Sequence, residues 1–152
     1  MNMQSKLLAA VVAIAISGVP AAVFARTMPA SLGNPYNQND TCFAVSTRGG
    51  IRNTCQGVLS FWVIPMPFDT SGSKTVKLTG NKVTANTILT CTMRSTNPSG
   101  ALSTLATFDF SGQPTGWSTI TRTVTMPSGN AAWLDCQVGG QNNAELEMVD
   151  YF

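Results

Sequence analysis

Histidine is absent from the 152 residues of this chain, and charged side chains make up only 11% of them. Without an imidazole, the chain has no Ser-His-Asp or Cys-His catalysis and no His-ligated metal site. The formal net charge is only +2, whereas domains that bind nucleic acid concentrate Lys and Arg on one face. We therefore expect no cofactor, no metal ion and no nucleic-acid partner.

Glutamate is almost absent as well, because Glu145 and Glu147 are the only two in the chain. Both fall on the same face of a predicted C-terminal strand. Two carboxylates can hydrolyse a glycosidic bond when they flank it in a cleft, but outward carboxylates on a terminal strand more often protect a sheet edge. We expect no catalytic residue. A small carbohydrate-active hydrolase that uses a Glu/Asp pair remains the alternative.

A long apolar run occurs only near the N-terminus, where residues 7–16 follow Lys6 and are ended by Ser17, Gly18 and Pro20. Small residues at 23–25 complete the layout of a secretory signal peptide, which predicts a leader over 1–25 and cleavage before Arg26. The run is shorter than the roughly 20 residues that span a bilayer. We expect a secreted or periplasmic protein with no transmembrane segment after cleavage.

The four cysteines, Cys42, Cys55, Cys91 and Cys136, all follow the predicted leader. An even number in an exported chain indicates two disulfides, and three pairings are possible. The turn residues 48–50 favour Cys42–Cys55, because they fold the chain back between the two. Cys91 and Cys136 occupy equivalent inward positions of two apolar strands, which favours their pairing. A zinc site is disfavoured because no C-x₂-C pair is present.

Turn residues divide the rest of the chain into short segments with apolar alternation. Residues 26–41 are rich in Pro and Asn and are predicted to form an irregular N-terminal arm. Eight strands are predicted after it, at 42–47, 57–64, 74–79, 87–94, 102–110, 117–126, 132–138 and 145–151. This spacing predicts an all-β domain over 42–152, a two-sheet antiparallel β-sandwich that is either immunoglobulin-like or a jelly roll. In the last strand, Leu146 and Met148 are predicted to point inward.

The segment 58–64 carries apolar residues on both faces, although a sandwich strand needs only one. One face holds Leu59, Phe61 and Val63, and the other holds Val58, Trp62 and Ile64. Something must cover the second face, or it is exposed for binding. We expect the arm, with its Met28, Leu32 and Tyr36, to lie over Trp62.

These observations favour a non-catalytic binding or interaction module whose ligand is a glycan or a protein. Exposed tryptophans are common anchors because they bring a large contact area at low entropic cost. The candidate ligand-binding residues are therefore Trp62, Trp117 and Trp133. A further alternative is a structural subunit that assembles by strand exchange, since the arm and the final strand lie at the ends of the chain.

Overall fold

The computed structural model describes residues 25–57, 59–68 and 70–152. Apart from Ala25, the predicted signal peptide lies outside the described residues, as do Val58 and Asp69. The described part contains eleven strands and one short 3₁₀ turn, Ala30–Leu32. No helix in those ranges is long and apolar enough to cross a membrane.

Each of the eight predicted strands has a counterpart in the structure, and three short strands are added. The strands are β1 (Arg26–Pro29), β2 (Asn34–Pro35), β3 (Phe43–Val45), β4 (Ile51–Asn53), β5 (Ser60–Met66), β6 (Gly72–Lys82), β7 (Leu89–Thr96), β8 (Leu102–Asp109), β9 (Gly116–Met126), β10 (Ala131–Val138) and β11 (Ala144–Tyr151). The additions are β1, β2 and β4, each of four residues or fewer.

The strands form two antiparallel sheets. The six-stranded sheet has the order β3-β4-β11-β6-β9, and β1 also pairs with β11. The five-stranded sheet has the order β2-β5-β10-β7-β8. Period-two alternation places one apolar face of each sheet in a shared core, in which Val76, Leu78, Leu89, Met93, Leu134 and Leu146 are fully buried. The predicted all-β sandwich is confirmed.

Both predicted disulfides are confirmed. Cys91 and Cys136 are directly opposite each other in β7 and β10, so their bond joins neighbouring strands of the five-stranded sheet on its buried side. Cys42 and Cys55 flank the β3–β4 hairpin. The turn at 48–50 therefore lies within the smaller of the two loops that the disulfides close, as its sequence indicated.

Residues 26–41 are more ordered than an irregular arm. Arg26 pairs with Tyr151 at the start of β1, in the six-stranded sheet, whereas Asn34 of β2 pairs with Val63 in the five-stranded sheet. The arm thus crosses from one sheet to the other. Its prolines are tolerated because β1 and β2 are short edge strands.

The prediction that Met148 points inward is wrong. A β-bulge between Leu146 and Met148 shifts the register of β11 against β6. One extra residue reverses the alternation beyond it, so Val149 and Tyr151 are buried while Met148 remains partly exposed.

Candidate functional site

Trp62 faces the core and is held beneath the arm. Its side chain is only 7% exposed, and its indole N–H donates a 2.8 Å hydrogen bond to the carbonyl oxygen of Ala30. The ring lies 4.8 Å from that of Phe43, measured between centroids. Gly33 packs so closely on the indole that a β-carbon there would lie 2.4 Å from its nitrogen. In this position Trp62 offers no surface to a ligand.

The arm covers Trp62 mainly through its backbone. Of the side chains expected to cover it, Met28 packs against the core. Leu32 and Tyr36 remain exposed, and Tyr36 is 74% exposed. The arm therefore buries the indole while presenting an aromatic ring to the outside.

The exposed face of β5 is the one that carries Phe61. Phe61 is 43% exposed, as is Leu59, which precedes the strand. Trp62 and Ile64 point into the core from the same strand. The two-faced apolar segment thus uses one face for packing and leaves the other on the outer surface of the five-stranded sheet.

A groove of about 340 Å³ crosses this outer surface. Its lining residues are Tyr36, Phe61, Arg94, Leu102, Trp133 and Asp135. They come from β5, β10, β7 and β8 and from the residue that follows β2, so four of the five strands of the sheet contribute. At about 4.8 Å per strand spacing, the three spacings from β5 to β8 amount to roughly 14 Å across the sheet.

Three of the six residues that line the groove are aromatic: Tyr36, Phe61 and Trp133. The backbone N–H of Tyr36 donates a 2.9 Å hydrogen bond to the carbonyl of Phe61, which fixes these two residues side by side. Trp133 stands on β10, on the face opposite its buried neighbours Ala132 and Leu134. These rings provide the kind of rigid apolar platform on which flat or ring-shaped ligands stack.

One ion pair supplies the charge in the groove. Arg94 Nε lies 3.5 Å from Asp135 Oδ2, and the two side chains are 35% and 19% exposed. Arg94 is directly opposite Trp133 in the β7–β10 ladder, with Asp135 two residues farther along β10. Within the described residues, Arg94 Nε and Asp135 Oδ1 have no hydrogen-bond partner. Both of these atoms are themselves buried, so a ligand can reach the pair only through its other N–H and carboxylate atoms.

The structure does not bring the three predicted tryptophans together. Trp133 lines the groove and Trp62 is in the core. Trp117 is the second residue of β9 in the other sheet, where it is 40% exposed. The guanidinium carbon of Arg48 lies 5.2 Å from the centroid of the Trp117 ring. The binding roles predicted for Trp117 and Trp133 thus refer to two separate surfaces.

Neither glutamate lines the groove. Glu147 is 3.8 Å from Arg48 Nη1 in an ion pair, and Glu145 is opposite Arg52 in the β11–β4 ladder. Nowhere in the described part of the chain do three or more His, Cys, Asp or Glu side chains form a group that could hold a metal ion.

A second cavity, of about 290 Å³, lies at one end of the sandwich and is formed by residues of 57–59, 84–88 and 139–143. Glycines, amides, hydroxyls and two aliphatic side chains line it, and none of the described residues in its wall is aromatic or charged. It therefore offers weaker anchors for a ligand than the groove does.

Sequence reasoning missed most of the groove. Alternation alone places Trp133 and Asp135 on one face of their strand. For 58–64, however, the sequence prediction assigned the arm or a ligand to the face of Trp62, whereas the exposed residue in the structure is Phe61. Tyr36 and Arg94 became neighbours of these residues only through the pairing of β2 with β5 and of β7 with β10. That register is not readable from a single sequence.

No protein-family model and no curated protein sequence matches this chain. The likeness lies in the fold. Solved structures with a similar fold include the C-terminal CBM6 of LamC, a marine laminarinase from Zobellia galactanivorans (13% identity, TM-score 0.57, 84% of this chain and 98% of that one). Another is the CBM36-1 domain of a multidomain xylanase from the hindgut metagenome of Trinervitermes trinervoides (15% identity, TM-score 0.54, 85% of this chain and 97% of that one). A third is a CBM35 from Paenibacillus barcinonensis (19% identity, TM-score 0.52, 84% of this chain and 98% of that one). The chain shares the β-sandwich fold of these carbohydrate-binding modules over nearly their whole length.

Proposed function

We propose that this chain is an exported, non-catalytic glycan-binding module whose ligand occupies the groove across the five-stranded sheet. The observation that carries the proposal is the cluster of Tyr36, Phe61 and Trp133 beside the Arg94–Asp135 pair. Aromatic faces stack on the apolar faces of sugar rings, while guanidinium and carboxylate groups exchange hydrogen bonds with hydroxyls. The carbohydrate-binding modules that share this fold add support.

The size of the groove favours a glycan over a protein partner. Its volume of about 340 Å³ falls within the range of about 300–1,000 Å³ that is typical of small-ligand sites. A stable protein interface buries about 1,200 Å² or more in total and needs a broad surface. A groove lined by three aromatic side chains and one ion pair suits a carbohydrate chain.

Substitution of Trp133 tests the proposal. Binding to a panel of soluble polysaccharides is measured by affinity electrophoresis in native gels. Trp133→Ala should weaken the interaction by about 2 kcal/mol, or roughly 30-fold, because it removes a central aromatic anchor. The fold should be preserved, since the side chain projects away from the core.

Two further variants provide the controls. Val45→Ala removes an exposed side chain from edge strand β3 of the other sheet and should leave binding unchanged. Trp117→Ala examines the second exposed tryptophan. If Trp117→Ala abolishes binding and Trp133→Ala does not, the ligand site lies on the six-stranded sheet and the proposal is wrong.

Export is part of the proposal and rests on the sequence of residues 1–25. The formation of two disulfides supports an oxidising compartment. The intact mass of the protein recovered from the periplasm or medium should correspond to a chain that begins at Arg26. Full-length chain in the membrane fraction would contradict this.

No observation favours the hydrolase or strand-exchange alternatives over binding. Glu147 is engaged by Arg48, and release of reducing sugar from any bound polysaccharide would be the sign of hydrolysis. The C-terminal strand β11 lies inside the six-stranded sheet, between β4 and β6. Strand exchange through it would therefore have to remove a central strand, and a sizing column would reveal the resulting oligomer.

A further inference from the structure

Six side chains line the groove, and only two of them are charged. Arg94 and Asp135 have opposite charges and lie 3.5 Å apart, so the groove has no net charge. The residues that flank the pair on the outer face are also uncharged: Thr92 is opposite Asp135 on β7, and Gln137 follows it on β10. The electrostatic attraction that the groove exerts on any ion is therefore weak.

An anionic ligand would disturb this pair. A carboxylate or sulfate that approached Arg94 would compete with Asp135, whose side chain is 19% exposed. It would also place a second negative charge beside a partly desolvated one, which is unfavourable. Separation of the pair would leave the Asp135 carboxylate without its counter-ion.

A sugar hydroxyl causes no such conflict. It accepts a hydrogen bond from a guanidinium N–H and donates one to a carboxylate oxygen, so it bridges Arg94 and Asp135 without separating them. Hydrogen bonds to charged groups are stronger than those between neutral groups. The ion pair is thus suited to bind hydroxyl groups.

Resting on the proposed function, we infer that the groove selects electrically neutral polysaccharides and discriminates against chains that carry uronate or sulfate groups. The aromatic residues supply affinity for sugar rings in general. Arg94 and Asp135 determine which charge class is accepted.

A pair of polymers that differ only in charge tests this inference. Neutral soluble glucans, mannans and galactans are compared by isothermal titration calorimetry with the same polymers after oxidation of their C6 hydroxyls to carboxylates. Binding to the oxidised forms should be weaker by at least about tenfold, which is the equivalent of one lost charge-assisted hydrogen bond. Binding to the neutral forms should change little between about 0.05 and 0.5 M NaCl, because no net charge is neutralised.

Removal of one charge should cancel the preference for neutral polymers. Asp135→Asn leaves Arg94 without its counter-ion, so the variant should bind the oxidised polymers at least about tenfold more tightly than the natural chain does, and this gain should disappear in high salt. The matched control is the double variant Arg94→Gln/Asp135→Asn, which restores zero net charge and should lose this gain, because it no longer holds an unpaired guanidinium group. The comparison of polymers on the unaltered protein stands even if a variant fails to fold.

The outcomes separate this inference from the proposed function. If the unaltered protein binds oxidised polymers as tightly as neutral ones, the charge selection is wrong while glycan binding stands. If no polymer of either kind binds, or if Trp133→Ala leaves binding to the neutral polymers unchanged, the proposed function itself is overturned.

Discussion

Gly33→Ala should detach the arm from the sandwich. A β-carbon on Gly33 would lie 2.4 Å from Trp62 Nε1 and 2.4 Å from the Val63 carbonyl oxygen, far inside the usual contact distance of about 3.5–4.0 Å. The backbone of Gly33, with φ near −78°, is accessible to alanine. The expected damage therefore comes from the collision alone, and the Val63 oxygen cannot rotate away because it belongs to the backbone.

The expected loss of stability follows from the contacts that the arm would lose. Relief of the collision separates Trp62 Nε1 from the Ala30 oxygen, and a buried donor left without a partner costs about 1–3 kcal/mol. Overpacking of a tight contact costs about 1–3 kcal/mol. Because both terms arise from one displacement, we expect the free energy of unfolding to fall by about 2–4 kcal/mol.

Urea unfolding followed by tryptophan fluorescence measures this change, and the emission of Gly33→Ala should also shift to the red as Trp62 meets water. Gly112→Ala is the matched control, because a β-carbon on Gly112 would meet no atom of the described residues within 4 Å, and it should stay within about 0.5 kcal/mol of the natural chain. Glycan binding should weaken in Gly33→Ala as well, since Tyr36 follows on the same arm. A free energy of unfolding for Gly33→Ala within about 0.5 kcal/mol of that of the natural chain would contradict this prediction.

Two further predictions concern stability and ionisation. Replacement of both core cysteines, Cys91→Ala with Cys136→Ala, should lower the free energy of unfolding by about 2–5 kcal/mol in urea titrations. Loss of Cys42–Cys55 should cost less, because that bond closes a shorter loop and is partly exposed; the reverse order would contradict this. Hydrogen bonds from the backbone N–H and the hydroxyl two residues farther on lower the pKa of Asp109. Its stabilising contribution is therefore present above its unfolded pKa of about 3.9 and is lost as the pH falls through the lower folded value. An NMR titration of the carboxyl group that gave a pKa at or above the ordinary value would contradict it.

Alternation made the sandwich and the core disulfide predictable. Successive side chains of a strand point to opposite faces, so the sequence shows which residues share a face. The inward-facing residues that include Cys91 and Cys136 could therefore be identified without knowledge of the strand order. The same rule could not orient 58–64, because both faces of that segment are apolar and alternation does not distinguish them. In the inward orientation the Trp62 indole N–H donates a hydrogen bond to Ala30, a residue 32 positions away, and no local pattern reveals such a contact.

Lys82 is a second residue whose position could not be predicted from the sequence. It continues the inward series of Val76 and Leu78 at the end of β6 and is only 1% exposed, although a lysine usually indicates an outward position. Its ammonium group donates a 3.1 Å hydrogen bond to the carbonyl oxygen of Ser111. That acceptor lies just beyond β8, and nothing in the local sequence of either residue reveals the contact.

The bond between Cys91 and Cys136 also limits how far β7 and β10 can move against each other. Arg94 and Asp135 project outward from the same two strands that this bond joins on the core side. A polymer held in the groove and pulled by flow would apply a shear force to β7 and β10, and strands joined only by hydrogen bonds slide past each other under such a force. Here a slip of even one residue pair would require a covalent bond to break. We expect the spacing of the ion pair to persist under tension for as long as the cysteines remain oxidised.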